Sequence, residues 1–138
     1  MDIDIKSIEY RTGMEMRLAK DFWFMCTNKP DFTWNDEDYI NACFSLECVN
    51  GWLYLIYNMC SELLTEVKSD FEFTQIKEKY GVLNIYYNGT ITPYGERIIQ
   101  QYEKESQYIC EHCGEDGKLH TDGWCMCLCD KCYNESRR

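Results

Sequence analysis

Cys110-Glu111-His112-Cys113, then fifteen residues, then Cys129-Asp130-Lys131-Cys132: these two pairs decide how the chain ends. Each Cys-x-x-Cys forms a tight knuckle that aims two thiolates at one point. A zinc ion accepts four thiolates tetrahedrally and keeps no open position. Between the pairs lies Thr121-Asp122-Gly123-Trp124, and Asp-Gly is a hairpin turn signal. The segment therefore predicts knuckle, strand, turn, strand, knuckle. One structural Zn²⁺ is expected on Cys110, Cys113, Cys129 and Cys132. Cys125, Cys127 and Cys129 alternate along the expected second strand and so point to one face. Cys127 in place of Cys129, or a second metal, is the competing ligation, and small core-facing side chains are the plain reading of Cys125 and Cys127. His112 and His120 are expected in solvent.

Working outward, Thr92-Pro93 opens a helix with Pro at a tolerated first-turn position. Its apolar stripe is Ile98, Ile99, Tyr102 and Ile109, and it enters the ribbon without a linker, so the ribbon is expected to pack on the body. Upstream the period is two. Phe71 and Phe73 alternate with Glu72 and Thr74, and Val82–Tyr87 is rich in β-branched and aromatic residues, which predicts two strands joined near Tyr80-Gly81. Leu53, Ile56, Tyr57, Cys60, Leu63, Leu64 and Val67 form a helical stripe after the Asn50-Gly51 turn. A first helix is read from Ser7 to Cys26 with Gly13 as its weak point. A break follows at Asn28-Lys29-Pro30-Asp31. A short helix capped by Asn35 or Asp36 then runs to Leu46. The fold class is α+β: helices packed on a small antiparallel sheet, with a C-terminal zinc ribbon. The divisions are a body over 1–109, a ribbon over 110–133 and a tail over 134–138.

Composition narrows the function classes. The chain has 138 residues, 45% hydrophobic and 15% aromatic, enough to pack a core. Its formal charge of −10 repels phosphate backbones in general and suits a basic protein partner. The acidic start, Met1-Asp2-Ile3-Asp4, carries no apolar signal core, and Cys26, Cys43, Cys48 and Cys60 sit in apolar surroundings as reduced thiols do. A cytoplasmic protein with no membrane span is expected.

Three blocks carry a resemblance. They are Glu47-Cys48-Val49-Asn50-Gly51-Trp52; Gln75-Ile76-Lys77-Glu78-Lys79-Tyr80-Gly81-Val82-Leu83-Asn84-Ile85-Tyr86-Tyr87; and the ribbon with Asp122-Gly123-Trp124 and Leu128-Cys129-Asp130-Lys131-Cys132. Together they resemble a set of small bacterial and phage proteins with a QxKEKxG-type hairpin block and a C-terminal CxxC…CxxC zinc ribbon. Such proteins often carry Arg where this chain has Asn84, so any role of that Arg is missing here. The resemblance implies a shared fold and a zinc ribbon, and no activity.

Catalytic readings fare poorly. A four-thiolate zinc cannot easily activate water. The two His both lie in the ribbon, which leaves an HNH-type nuclease without its base. Gln75-Ile76-Lys77 with Asp70 imitates a Mg²⁺-dependent nuclease motif, but Asp70 is too close for a separate strand. Lys77 and Lys79 are basic in a very acidic chain and are the candidate contact residues for an anion. Nucleic acid is disfavoured by the net-acidic ribbon, leaving only stacking on Trp124 or Tyr133. The expected function is a non-enzymatic cytoplasmic zinc-ribbon interaction protein with a protein partner, one form being a phage-encoded modulator of a host protein. The alternatives are a nucleic-acid-associated zinc-ribbon protein and a hydrolase with an unrecognised site.

Overall fold

Helix α1 (Ile8–Asp21) starts where Ser7 accepts a hydrogen bond from the Tyr10 N–H, a side-chain N-cap. In this computed structural model, residues 4–27, 30, 33–43 and 46–136 are described. The helix does not continue to Cys26. Phe22 turns extended, and Trp23–Met25 closes a short 3₁₀ turn. The reason is packing. Consecutive residues on an α-helix point 100° apart, so an unbroken helix could not face Phe22, Phe24 and Met25 all inward. All three are buried, and Phe24 meets the rings of Phe22, Trp23, Phe71 and Phe73 at centroid distances of 5.0–5.6 Å.

The break at Asn28-Lys29-Pro30-Asp31 lies, apart from Pro30, outside the described residues. Helix α2 (Asp36–Ala42) is capped by Asn35 in a capping box with Asp38. It ends before the expected Leu46. Helix α3 (Leu53–Leu63) follows a 3₁₀ turn over Asn50–Trp52 and buries Leu53, Ile56, Met59, Cys60 and Leu63. Of the stripe read from sequence, Tyr57 is only partly buried, and Leu64, exposed, and Val67 fall beyond the helix end, while Met59 joins the buried face.

Strands β1 (Glu72–Lys79) and β2 (Val82–Asn88) pair antiparallel, with Ile76 opposite Ile85 and a bulge between Phe73 and Gln75. Their turn, Tyr80-Gly81, has positive φ at both residues, 55° and 78°. That is the pattern of the two-residue hairpin that favours Asn-Gly. Tyrosine in the left-handed region costs about 1–2 kcal/mol. Both outer edges are covered. Glu47 exchanges backbone hydrogen bonds with Ile76 and Glu78 along β1. Along β2, the Leu83 N–H donates to Ser106 Oγ and the Ile85 N–H to Glu103. Side chains from the following helix and the residue just after it thus satisfy two N–H groups of an edge that would otherwise invite pairing. That helix, α4 (Pro93–Glu105), is capped by Thr92 with Pro at its first position.

Strands β3 (Lys118–His120) and β4 (Met126–Leu128) form the second hairpin, with Leu119 opposite Cys127. Helix α5 (Asp130–Ser136) then runs past residue 133, so most of the expected tail is helical. Among the described residues, no helix is long and apolar enough to cross a membrane.

Arg11 ties the N-terminal helix to the segment before α3. Its guanidinium donates to the carbonyls of Leu46 and Cys48, to Asn50 Oδ1 and to Glu15. Two backbone carbonyls are thereby satisfied by one rigid fork. Gly13, in contrast, is spare. A Cβ there would meet nothing within 4 Å. Gly13→Ala is expected to stabilise the protein by about 0.5–1 kcal/mol, read as a higher urea midpoint at unchanged slope.

Candidate metal centre

The first knuckle is built by backbone. The Gly114 N–H donates to Cys110 O, with Gly114 at φ 80°, and the Cys110 N–H donates to Glu115 O. In the second, Cys129 stands just before α5, and its sulfur receives the Cys132 N–H at 3.4 Å. The sulfur atoms of Cys110, Cys113, Cys129 and Cys132 all lie within 4.8 Å of one another, and Cys113 Sγ is 3.6 Å from Cys129 Sγ. A tetrahedron of metal–sulfur bonds of about 2.3 Å has edges of about 3.8 Å. The four thiols therefore fit one metal ion.

Their protonation is uneven. Burial, together with the neighbouring thiols, pushes Cys132 up to about 12 and raises Cys113. At Cys129 burial also acts upward, but the Cys132 N–H and the adjacent thiols outweigh it and hold that sulfur below its ordinary value. A cation bound here would displace the remaining protons, so occupancy falls with falling pH.

Cys127 is not in the cluster. It is fully buried in the main core, and its thiol lies 3.2 Å from Gln107 O. The alternation read from sequence stops because β4 ends at Leu128 and α5 starts at Asp130, which turns Cys129 toward the first knuckle. Cys125 is half-buried beside Trp124. Replacing Cys125 and Cys127 together with Ala is expected to leave metal stoichiometry unchanged. The cost is about 1–2 kcal/mol from the buried site. Metal analysis beside a denaturation curve separates the two effects.

The histidines differ from expectation. Both are half-buried, not solvent-exposed. His120 stacks on Tyr133 at 3.8 Å and faces Leu128 O at 3.2 Å. His112 Nε2 is buried without a hydrogen-bond partner among the described residues, and burial lowers its pKa. For His120 the cover comes from α5, through Tyr133, and from β4, through Leu128.

The cluster is fastened to the rest of the chain at a point sequence reading missed. The Gly51 N–H donates to Glu111 O at 2.6 Å, and a Cβ on Gly51 would fall 2.3 Å from the carbonyl oxygens of Cys110 and Glu111. Only glycine admits the knuckle so close. The next residue, Trp52, is fully buried and donates its indole N–H to Ile109 O. Glu111 is buried, and its carboxylate accepts the Cys127 N–H at 2.7 Å; burial pushes it up to about 7. The signal was Asn-Gly-Trp itself, read as a turn and as part of a resemblance block but not as a contact with the knuckle.

The nuclease-like residues do not converge. Asp70 is committed to Thr90, accepting its backbone N–H and its hydroxyl. Gln75 donates to Glu47. Among the described residues, the four cysteines are the one group of three or more Cys, His, Asp or Glu placed to share a metal ion. Lys77 and Lys79 lie on β1, with Nζ 5.7 Å from the Tyr86 ring centre and 5.8 Å from that of Tyr80.

Fold and site together define an α+β protein with a C-terminal four-cysteine cluster able to hold one metal ion. Compared with known protein families, curated proteins and solved structures, the chain matches none.

Proposed function

We propose that this chain is a non-enzymatic interaction protein. Its C-terminal ribbon holds one structural zinc ion on Cys110, Cys113, Cys129 and Cys132, and its partner is a protein. The observation that carries this reading is the donor set. Four sulfurs at tetrahedral spacing suit zinc, a geometry and donor set also met at iron–sulfur sites, and leave no place for a reacting water. The metal then acts as a clamp, and the surface does the work.

One surface suits a partner. A cleft of about 410 Å³ lies where α1, α3 and the first knuckle meet, lined by Tyr10, Tyr54, Leu55, Asn58 and Ile109. Tyr54 stands 62% exposed at this cleft. Exposed aromatic side chains beside an apolar recess are typical interface anchors. The charge of −10 favours a basic surface around whatever docks there.

A photo-crosslinking amino acid placed at position 54 tests this in cells. The expected result is a discrete protein adduct, lost when Leu55→Glu is added while metal content stays whole. Adducts unaffected by Leu55→Glu, or only with nucleic acid, overturn the reading. Duplex DNA at low salt is expected to give no gel shift at about micromolar protein, because the overall field opposes counterion-driven binding.

A further inference from the structure

The tips of the two hairpins meet at a second place, distinct from the apolar cleft and independent of it. Tyr80 from the β1–β2 turn and Trp124 from the β3–β4 turn are 70% and 82% exposed. With Glu78, Lys79, Gly123 and Cys125 they line a cleft of about 280 Å³. The hairpins are locked together here, since a Cβ on Gly81 would lie 2.4 Å from Leu119 and 3.2 Å from the Cys127 nitrogen.

The row continues along β1. Lys77 and Lys79 are two residues apart on one strand face, about 7 Å from each other. Lys77 lies over Tyr86, which is 45% exposed. Neither lysine has a carboxylate within 4.0 Å among the described residues, although acids outnumber bases 24 to 14. Two acids of this neighbourhood hold other partners: Glu78 accepts the Gly81 N–H, and Glu47 accepts from Gln75. The strip therefore offers three exposed rings and two cations that lie over Tyr86 and Tyr80 and have no carboxylate partner among the described residues.

We propose that this strip, Tyr86–Lys77–Lys79–Tyr80–Trp124, binds a short single strand of nucleic acid, with bases stacked on the rings and phosphates at the two lysines. Stacking on aromatics with cations alongside is how single strands are held without sequence readout. The net charge of −10 opposes this less than it opposes duplex binding. At physiological salt the field of a charge fades over about 8 Å, so a strand of a few nucleotides senses mainly the charges of the strip itself, two lysines against the hydrogen-bonded Glu78. Two lysines cannot retain a duplex, whose bases are also closed to stacking.

Tyr80 supplies a second argument. The turn that holds it favours Asn-Gly, and tyrosine there is held in the left-handed region at φ 55°. A strained residue with an exposed ring fits a ligand contact better than a structural role.

The test uses the purified, metal-loaded protein and fluorescently labelled eight-nucleotide oligo-dT and oligo-U, followed by anisotropy at several salt concentrations. Saturable binding of either strand is expected, with a shallow salt slope of about −1.4 for two phosphate contacts. Their relative affinity tells DNA from RNA. Trp124→Ala is expected to weaken it about tenfold or more. Lys77→Glu with Lys79→Glu should abolish the salt dependence, metal content remaining at one in both. Tyr80→Asn should raise the melting temperature and weaken binding together, a pairing that a purely structural tyrosine would not give. No saturable binding, affinity unchanged by Trp124→Ala, or equal binding of an oligo-aspartate peptide overturns the proposal.

Discussion

Cys110→Ser is expected to empty the metal site and unfold the C-terminal hairpin. Zinc supplies roughly 10–16 kcal/mol to small four-ligand sites, and a serine oxygen in place of one thiolate forfeits a large part of it. The ribbon has little core of its own: Cys110, Leu128 and Cys132 are its buried cluster. The damage should reach the body, because the knuckle sits on Gly51 and receives the Trp52 indole N–H at Ile109. Metal analysis should fall from one ion per chain toward none, and the thermal transition should move down and broaden. The Cys110→Ser/Cys129→Ser double variant should show no metal. Full occupancy in it would overturn the ligand set.

The second large effect is expected from Trp52→Ala. Trp52 is fully buried between α3 and the knuckle. Truncating a core tryptophan costs about 3–5 kcal/mol, and stranding the Ile109 carbonyl adds about 1 kcal/mol or more. Against a typical stability of roughly 5–15 kcal/mol, that brings the protein close to its folding threshold. Urea denaturation should show a large drop in midpoint. Trp124→Ala, at the exposed hairpin tip, should stay within about 0.5 kcal/mol of the parent. Similar losses at both positions would mean that Trp52 is not the joint between body and ribbon.

How much of this was legible in the sequence depended on how local the signal was. Most of the α3 stripe, the two strand pairs, the choice of Asn35 or Asp36 as a cap (Asn35 in the structure), the helix start at Thr92-Pro93 and the clustering of the four cysteines follow from residues a few positions apart, and the structure bears these out. The misplaced boundaries arose where packing between distant segments prevailed. Phe22 leaves α1 so that Phe24 can meet Phe71 and Phe73, nearly fifty residues away. Cys129 leaves the strand alternation because the second knuckle opens α5. His120 is covered by Tyr133 of α5 and His112 Nε2 is buried, through packing that no spacing rule encodes.

The strip of Tyr80, Trp124, Lys77 and Lys79 was half-visible. The lysines stood out in an acidic chain, and Trp124 followed an expected turn. Nothing in the sequence brought the two hairpin tips together, because that approach rests on Gly81 packing against Leu119 and the backbone of β4. Gly51 was likewise read as a turn residue, whereas its role is to admit the carbonyls of Cys110 and Glu111 at contact distance.

X-ray absorption at the zinc edge of the purified, metal-loaded protein tests the four-thiolate centre most directly. Four sulfur scatterers at about 2.3 Å and no nitrogen or oxygen in the coordination sphere are expected. The spectrum should be unchanged when Cys125 and Cys127 are both replaced with Ala. A nitrogen or oxygen scatterer at about 2.0–2.1 Å, or a sulfur lost in that variant, would contradict the centre assigned to Cys110, Cys113, Cys129 and Cys132.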